Sequence, residues 1–291
     1  MDSLGSGMDR RFAWSAGLAV GAIVVGTLFF HAKWSTAADK IAAGEGANSP
    51  APTSGQSVPP DAAATNEPIF VNWPKPDVAL LFSGEQDGYL EPCGCAGLGN
   101  QKGGLKRRFT LIKQLRDKGW IVEPMDLGGQ AKRFGKQAEM KFEFALRGLI
   151  EMGYQAVGFG PQDLTMDVLT LAINLPAAKN PLVSANVGLV DFDSGFTKRF
   201  KIIEAGGMKI GVTAVLGKKQ LATLKNSDEL KLVEPYQAIP QVLPDLINAH
   251  CDYLILLSFA DPDETKDLAR RYKDFNFVVT ADGGQVPPNE P

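Results

Sequence analysis

Val78-Ala79-Leu80-Leu81-Phe82 is an unbroken apolar run that empties into Ser83-Gly84-Glu85-Gln86-Asp87-Gly88-Tyr89-Leu90-Glu91-Pro92-Cys93-Gly94-Cys95, and Gly103-Gly104-Leu105-Lys106-Arg107-Arg108 follows at short range. Five apolar residues bounded by glycine and polar residues predict a buried strand. Leu105, Phe109, Ile112 and Leu115 then recur at helical spacing and predict a helix over Leu105–Lys118 with those four residues inward. Ligands of α/β folds bind outside the carboxyl ends of strands. A strand opening into carboxylates, glycines and thiols, then closing on a basic helix start, is built like such a site.

The same alternation continues outward. Trp120–Met125 reads as a strand that ends in Asp126-Leu127-Gly128-Gly129. Ala138–Met152 reads as a helix with Phe142, Ala145, Leu146 and Leu149 inward, and Gly153 suits its C-terminal cap. Ala156–Phe159 predicts a short strand, Asp163–Leu175 a helix and Leu182–Asn186 a strand. Phe200–Glu204 and Lys209–Val215 predict a hairpin turned through Gly206-Gly207. A helix over Pro235–Ala249, a strand over Tyr253–Ser258, a helix over Asp261–Tyr272 and a strand over Phe277–Thr280 complete the order. Interleaved strands and helices with one central hairpin define an α/β sandwich of mixed β-sheets flanked by helices.

Before the domain come three segments. Residues 1–11 are polar and end in Arg10-Arg11, which predicts a cytoplasmic N-terminus. Residues 12–30 carry no charge; as a helix they would run roughly 28 Å, enough to cross a bilayer, and longer than the apolar core of a cleaved signal peptide. They predict a transmembrane anchor that puts the bulk of the chain in the periplasm or outside the cell. Residues 31–76 are rich in Ala, Pro and Ser and predict an extended linker. The domain therefore occupies 77–291.

Composition narrows the chemistry. A net charge of −3 over 291 residues, with the basic residues scattered, leaves no nucleic-acid footprint. There are only two histidines, His31 and His250, and three cysteines, Cys93, Cys95 and Cys251. A mechanism needing several histidine ligands is excluded, and no Cys-x-x-Cys-His is present to attach a haem. His250 and Cys251, at the entrance of an apolar strand, read as structural.

With the loops in order, the domain resembles the metal-dependent 5′-nucleotidase branch of the calcineurin-like metallophosphoesterases. That family's first strand ends in a Thr-Asn-Asp-x-His-Gly type loop, then Pro, then Gly-Gly and a basic helix start. The corresponding residues here are Ser83–Gly88, Pro92 and Gly103–Arg108. Its Gly-Asp loop falls at Gly128-Gly129 and its Gly-Asn-His-Glu loop at Gly160-Pro161-Gln162-Asp163. Leu257-Ser258-Phe259 and Ala281-Asp282-Gly283-Gly284 stand for its Leu-Ser-His and Gly-His-x-His elements. The resemblance runs from Val78 to about Gly284 and implies the fold.

Enzymes of that family clamp two metal ions between Asp, His and Asn side chains to activate water. Carried over residue by residue, the first Asp is Glu85, the first His is Asp87 and the bridging Asp is Gly129. The Asn is Pro161, the loop His is Gln162, and the later histidines are Phe259, Asp282 and Gly284. Two readings stand. Glu85, Asp87, Asp163 and Asp282 form a carboxylate site for a divalent cation such as Ca²⁺ or Mg²⁺, with an active hydrolase as the outcome. Alternatively they are polar loop residues on an abandoned site, and the domain serves in binding or scaffolding with an extracytoplasmic protein partner. The family pattern also continues beyond the last strand, which raises the expectation that this domain is incomplete at its C-terminus.

Cys93-Gly94-Cys95 lies where the family pattern gives no account. Two close thiols can grip a thiophilic metal, cycle as a strained disulfide, or simply pack in a turn. Lys106, Arg107 and Arg108 at a helix start suggest either an anion site helped by the helix N-terminus or a solvated helix face.

Overall fold

The computed structural model describes residues 23–24, 70–92, 103–133, 135–167, 172 and 177–282. Among the described residues nine strands and five α-helices carry the domain, with one further strand contributed from residues 23–24. The first sheet has the order β1 (Ile23–Val24), β2 (Ala79–Ser83), β3 (Val122–Asp126), β4 (Ala156–Val157), all parallel. Ser83 and Asp126 lie opposite each other at its carboxyl end. A bridge from Val157 to Leu182, and another from Val183 to Lys198, prolong it beyond β4. β5 (Val187–Leu189) pairs separately with β8 (Leu230–Leu232).

The second sheet is mixed: β6 (Lys201–Ala205) runs antiparallel to β7 (Met208–Leu216), while β9 (Tyr253–Phe259) and β10 (Phe277–Ala281) are parallel to β7. α1 (Leu105–Asp117) and α2 (Lys136–Glu151) follow β2 and β3; a short α3 (Lys218–Leu221) follows β7. α4 (Pro235–Asn248) and α5 (Pro262–Arg271) flank β9.

Side-chain alternation builds the layers, because successive strand residues face opposite sides. Leu80, Phe82 and Met125 meet Ile210, Val212, Ile255 and Leu257 between the two sheets. Ala79, Leu81 and Val122 face the other way, onto Ile112, Leu115, Phe142 and Leu149 of α1 and α2. Leu254 and Leu256 pack on Val242, Leu246 and Leu268 of α4 and α5. The result is helices, sheet, sheet, helices, the sandwich expected of the sequence. Both sheets bring their carboxyl ends to one edge: a β-carbon on Gly84, after β2, would stand 3.4 Å from both Leu127 and Ala281 Cβ atoms.

Several expectations change. The helix anticipated over Asp163–Leu175 begins instead as a 3-10 turn, Pro161–Thr165. Its cause is Asp163, whose carboxylate accepts from the Gly160 N–H and holds the chain in a tight turn. In α1 the buried stripe is Arg108, Ile112 and Leu115, and Phe109 is 52% exposed. Leu182–Asn186 makes only isolated bridges, and β5 starts after it. The proposed anchor, residues 12–30, lies outside the described residues except for Ile23 and Val24, which stand as strand rather than helix beside Leu81 and Phe82. Apolar, β-branched residues suit a sheet edge as readily as a lipid-facing helix. Among the described residues no helix is long and apolar enough to cross a membrane. Cys93 and Cys95 also lie outside the described residues; Cys251 is a free cysteine.

Candidate functional site

The loops that leave β2, β3, β4 and β9 converge at the common carboxyl edge. The loop after β2 runs beside the loop after β3, through Glu85 N–H to Gly128 O (2.8 Å), Asp87 N–H to Gly129 O (3.0 Å) and Gly88 N–H to Gln130 O (2.8 Å). Beneath them sits a buried polar network. Asp126, fully buried at the end of β3, accepts from Ser83 Oγ at 2.6 Å and Arg108 Nη1 at 2.8 Å. Its other oxygen accepts from Gly128 N–H at 2.9 Å and Gln130 Nε2 at 2.5 Å. Tyr154 Oη lies 3.1 Å from Ser83 Oγ and serves as donor there, because the serine proton is already given to Asp126. A buried ion pair is costly unless its remaining lone pairs and protons are satisfied; four donors satisfy the carboxylate, whereas Arg108 Nη2 has no hydrogen-bond partner among the described residues.

Arg108 is therefore turned into the core and withdrawn from the proposed anion site. Two N–H groups of the α1 N-terminus are likewise taken by the loop before it, Leu105 by Tyr89 O and Lys106 by Leu90 O. Lys106 itself stands 3.5 Å from Glu91, and Arg107 is exposed. The basic trio does not converge.

The four carboxylates also divide. Asp163 is completely buried and accepts from three backbone N–H groups, Gly129 (2.8 Å), Ala131 (2.9 Å) and Gly160 (2.8 Å). It brackets the loops after β3 and β4, and burial pushes its carboxyl up to about 7 against those three bonds. Glu85, Asp87 and Asp282 group at the mouth, all three with positive φ (48°, 54° and 81°). Burial raises the Glu85 carboxyl, and the like charges of Asp282 and Asp87 raise it further. A cation is already present among them: Lys132 Nζ donates to Asp87 at 2.7 Å and lies near enough to Glu85 to offset part of its repulsion. Gln220 Nε2 holds Asp282 at 2.5 Å.

The two metal ions that the resemblance implies would need ligands from the positions around Gly129. Gly129, at φ +77°, has no side chain, and a β-carbon there would lie 3.1 Å from both the Cα of Glu85 and Cε2 of Phe259. A β-carbon on Gly160 would stand 2.7 Å from the Gly129 backbone and 3.2 Å from the same Phe259 atom. The phenyl ring, 4% exposed, thus covers Gly129 and Gly160 from the place where a histidine ligand would project. Among the described residues, no three His, Cys, Asp or Glu side chains come together as ligands. The donor set of the described residues does not fit a metal pair.

Asp126, Gln130, Lys132, Tyr154 and Gln220 are the polar residues of this edge that the sequence did not single out. Asp126 and Lys132 stood in recognisable loops. Tyr154 and Gln220 carried no signal, since they arrive from distant segments.

The described domain shares its fold with solved 5′-nucleotidases. It is similar to an NAD nucleotidase of Haemophilus influenzae (19% identity, TM-score 0.55, covering 70% of this chain and 38% of that one). It is also similar to a 5′-nucleotidase precursor of Thermus thermophilus (19% identity, TM-score 0.56, 72% and 44% covered). A sulfate thiohydrolase of the same organism superposes comparably (13% identity, TM-score 0.56, 71% and 48% covered). The chain thus spans less than half the length of each of these proteins. At such identities the likeness concerns the fold. No family model and no curated protein matches the sequence.

Proposed function

We propose that this chain carries a 5′-nucleotidase-like domain that has lost phosphoester hydrolysis and serves in binding or scaffolding. One observation carries the reading: the Phe259 ring, at a position where the resemblance places a histidine, is seated over Gly129, where it places the bridging aspartate. Two-metal hydrolysis requires side chains that hold both ions and leave room for the attacking water. Here the bridging position has no side chain and the neighbouring space holds carbon. The surviving carboxylates at the mouth are partly neutralised by Lys132.

The full-length protein, purified in detergent, is expected to show no turnover of nucleoside monophosphates, NAD or a generic aryl phosphate when Mn²⁺, Mg²⁺ or Zn²⁺ is added. Metal-stimulated turnover that disappears in Glu85→Gln or Asp87→Asn would replace this reading with an active hydrolase on a remodelled carboxylate site.

Residues 12–30 serve in this reading as an uncleaved membrane anchor, with the domain facing the periplasm or exterior and meeting a protein partner there. The pairing of Ile23–Val24 with β2 is a competing role for the same segment. Deleting residues 1–69 distinguishes the two: an anchor is removed with release from the membrane and an unchanged Tm, whereas an edge strand is removed with a fall in Tm. Cys93 and Cys95 are the thiol pair to which a thiophilic metal or a redox role is assigned. Equal metal content and equal thiol titration in wild type and a Cys93→Ser, Cys95→Ser protein would leave them only packing.

A further inference from the structure

An enzyme of this fold uses its metal pair for chemistry and also as a tie, since ligands from several strand-end loops meet on the ions. In this chain those loops are nonetheless held in contact, and the parts that hold them can be named. The loops after β2 and β3 are joined by three backbone hydrogen bonds, at Glu85, Asp87 and Gly88. The loops after β3 and β4 are joined by Asp163, which accepts from Gly129, Ala131 and Gly160, and by Gly158 N–H on Asp126 O at 2.8 Å. All of these bonds stay within the first sheet and its loops. β9 belongs to the second sheet, and it reaches the first-sheet loops through the ring of Phe259 on Gly129 and Gly160.

We propose that Phe259, packed on Gly129 and Gly160, replaces the metal centre as a tie between the two sheets at their carboxyl edge, beside the contact of the Asp282 backbone with Glu85, so that the loop arrangement needs no ion. The inference rests on the metal-free reading above and adds to it what took over the mechanical task. The two devices exclude each other. A side chain at position 129, where the resemblance places the bridging aspartate, would need the volume that the ring now fills. A β-carbon at 129 would stand 3.1 Å from the ring, and one at 160 would stand 3.2 Å from it and 2.7 Å from the Gly129 backbone, so glycine at both positions suits this packing. Histidine, which the resemblance places at this position, would bring polar ring nitrogens into this carbon contact; phenylalanine brings none.

Hydrogen exchange on the full chain tests this, with wild type, Phe259→Ala and Phe259→Leu each measured with chelator and with added Mn²⁺. In wild type, protection of the amides in 83–90, 127–133 and 158–165 is expected to be indifferent to both additions. Phe259→Ala is expected to speed exchange about ten-fold or more in all three loops, while β7 and α4 keep their protection, because loss of a local tie opens a local unit. Phe259→Leu, which keeps part of the volume, is expected to fall between, and it decides the matter if the alanine protein does not fold. Unchanged exchange in the three loops of the substituted proteins, or a change confined to β9, overturns the tie and leaves the metal-free reading standing. A wild-type protein whose loops gain protection with Mn²⁺ or lose it with chelator overturns both.

Discussion

Gly129→Asp would introduce the aspartate that the resemblance to metallophosphoesterases places here as a bridging ligand, and it is expected to destabilise the protein without creating a metal site. The magnitude follows from two terms. Position 129 has φ +77°, and placing a β-carbon in left-handed backbone costs about 1–2 kcal/mol. The β-carbon would also stand 3.1 Å from the Glu85 Cα and 3.1 Å from Phe259 Cε2, neither of which is the free end of a flexible chain. Overpacking of that kind costs about 1–3 kcal/mol. Together the two give about 2–5 kcal/mol, before any charge effect from Glu85. Gly129→Ala carries the same backbone and packing terms without charge. Gly135→Ala is the matched control, since φ there is +92° and nothing lies within 4 Å of the added carbon. It should cost only the backbone term. Urea denaturation of the three variants separates the contributions, and Mn²⁺ titration of Gly129→Asp completes the assay. The reasoning is refuted if Gly129→Ala costs no more than Gly135→Ala, or if Gly129→Asp regains wild-type stability by binding Mn²⁺.

Three further expectations concern the polar groups of the same edge. Arg108→Met strands the Asp126 charge in the core and is expected to cost about 3–5 kcal/mol, against about 0.5 kcal/mol or less for the exposed Lys106→Met on the same helix; chemical denaturation reads both. Asp163 holds a proton in the folded chain up to about 7, whereas its ordinary value is 3.8, so between those values the folded state binds more protons than the unfolded state. Its contribution to stability is fully present below 3.8 and is lost as pH rises through about 7. The difference in stability between wild type and Asp163→Asn should therefore shrink from about pH 4 to about pH 7, and a difference that grows instead would contradict the assignment. Lys132 and Asp87 form a pair in which the lysine is 62% exposed and the aspartate 18%; a double-mutant cycle with Lys132→Met and Asp87→Asn is expected to return a coupling of about 0.5–1 kcal/mol.

α1 illustrates how far periodicity carries and where it stops. Ile112 and Leu115 are legible as inward residues because helical spacing places them on one face. Phe109 and Arg108 exchange places, since hydropathy puts the phenylalanine inside and the arginine outside. What reverses them is Asp126, eighteen residues away in sequence and 2.8 Å away in space, whose buried carboxylate draws the guanidinium in. Asp163 teaches the same lesson in a loop. Its residue type and its place after a strand suggest a metal ligand, yet its two oxygens are spent on three backbone N–H groups that only the folded loops bring together. The short α3 and β8 leave no trace in the pattern, being too brief for a period to emerge.

The sequence alone determined the sandwich, because strand and helix periods are local properties written every two or 3.6 residues. It also determined that the chain holds only two histidines, since a residue type is known wherever it falls. What stands beside Gly129 was decided only by the tertiary structure. Gly129 and Gly160 lie on two loops of the first sheet and Phe259 at the end of β9 in the second, and their contact depends on a close approach that no spacing along the chain encodes. The same holds for Lys132 among the carboxylates: a solvated lysine and an internal counter-charge are identical in sequence, and only the distance to Asp87 separates them.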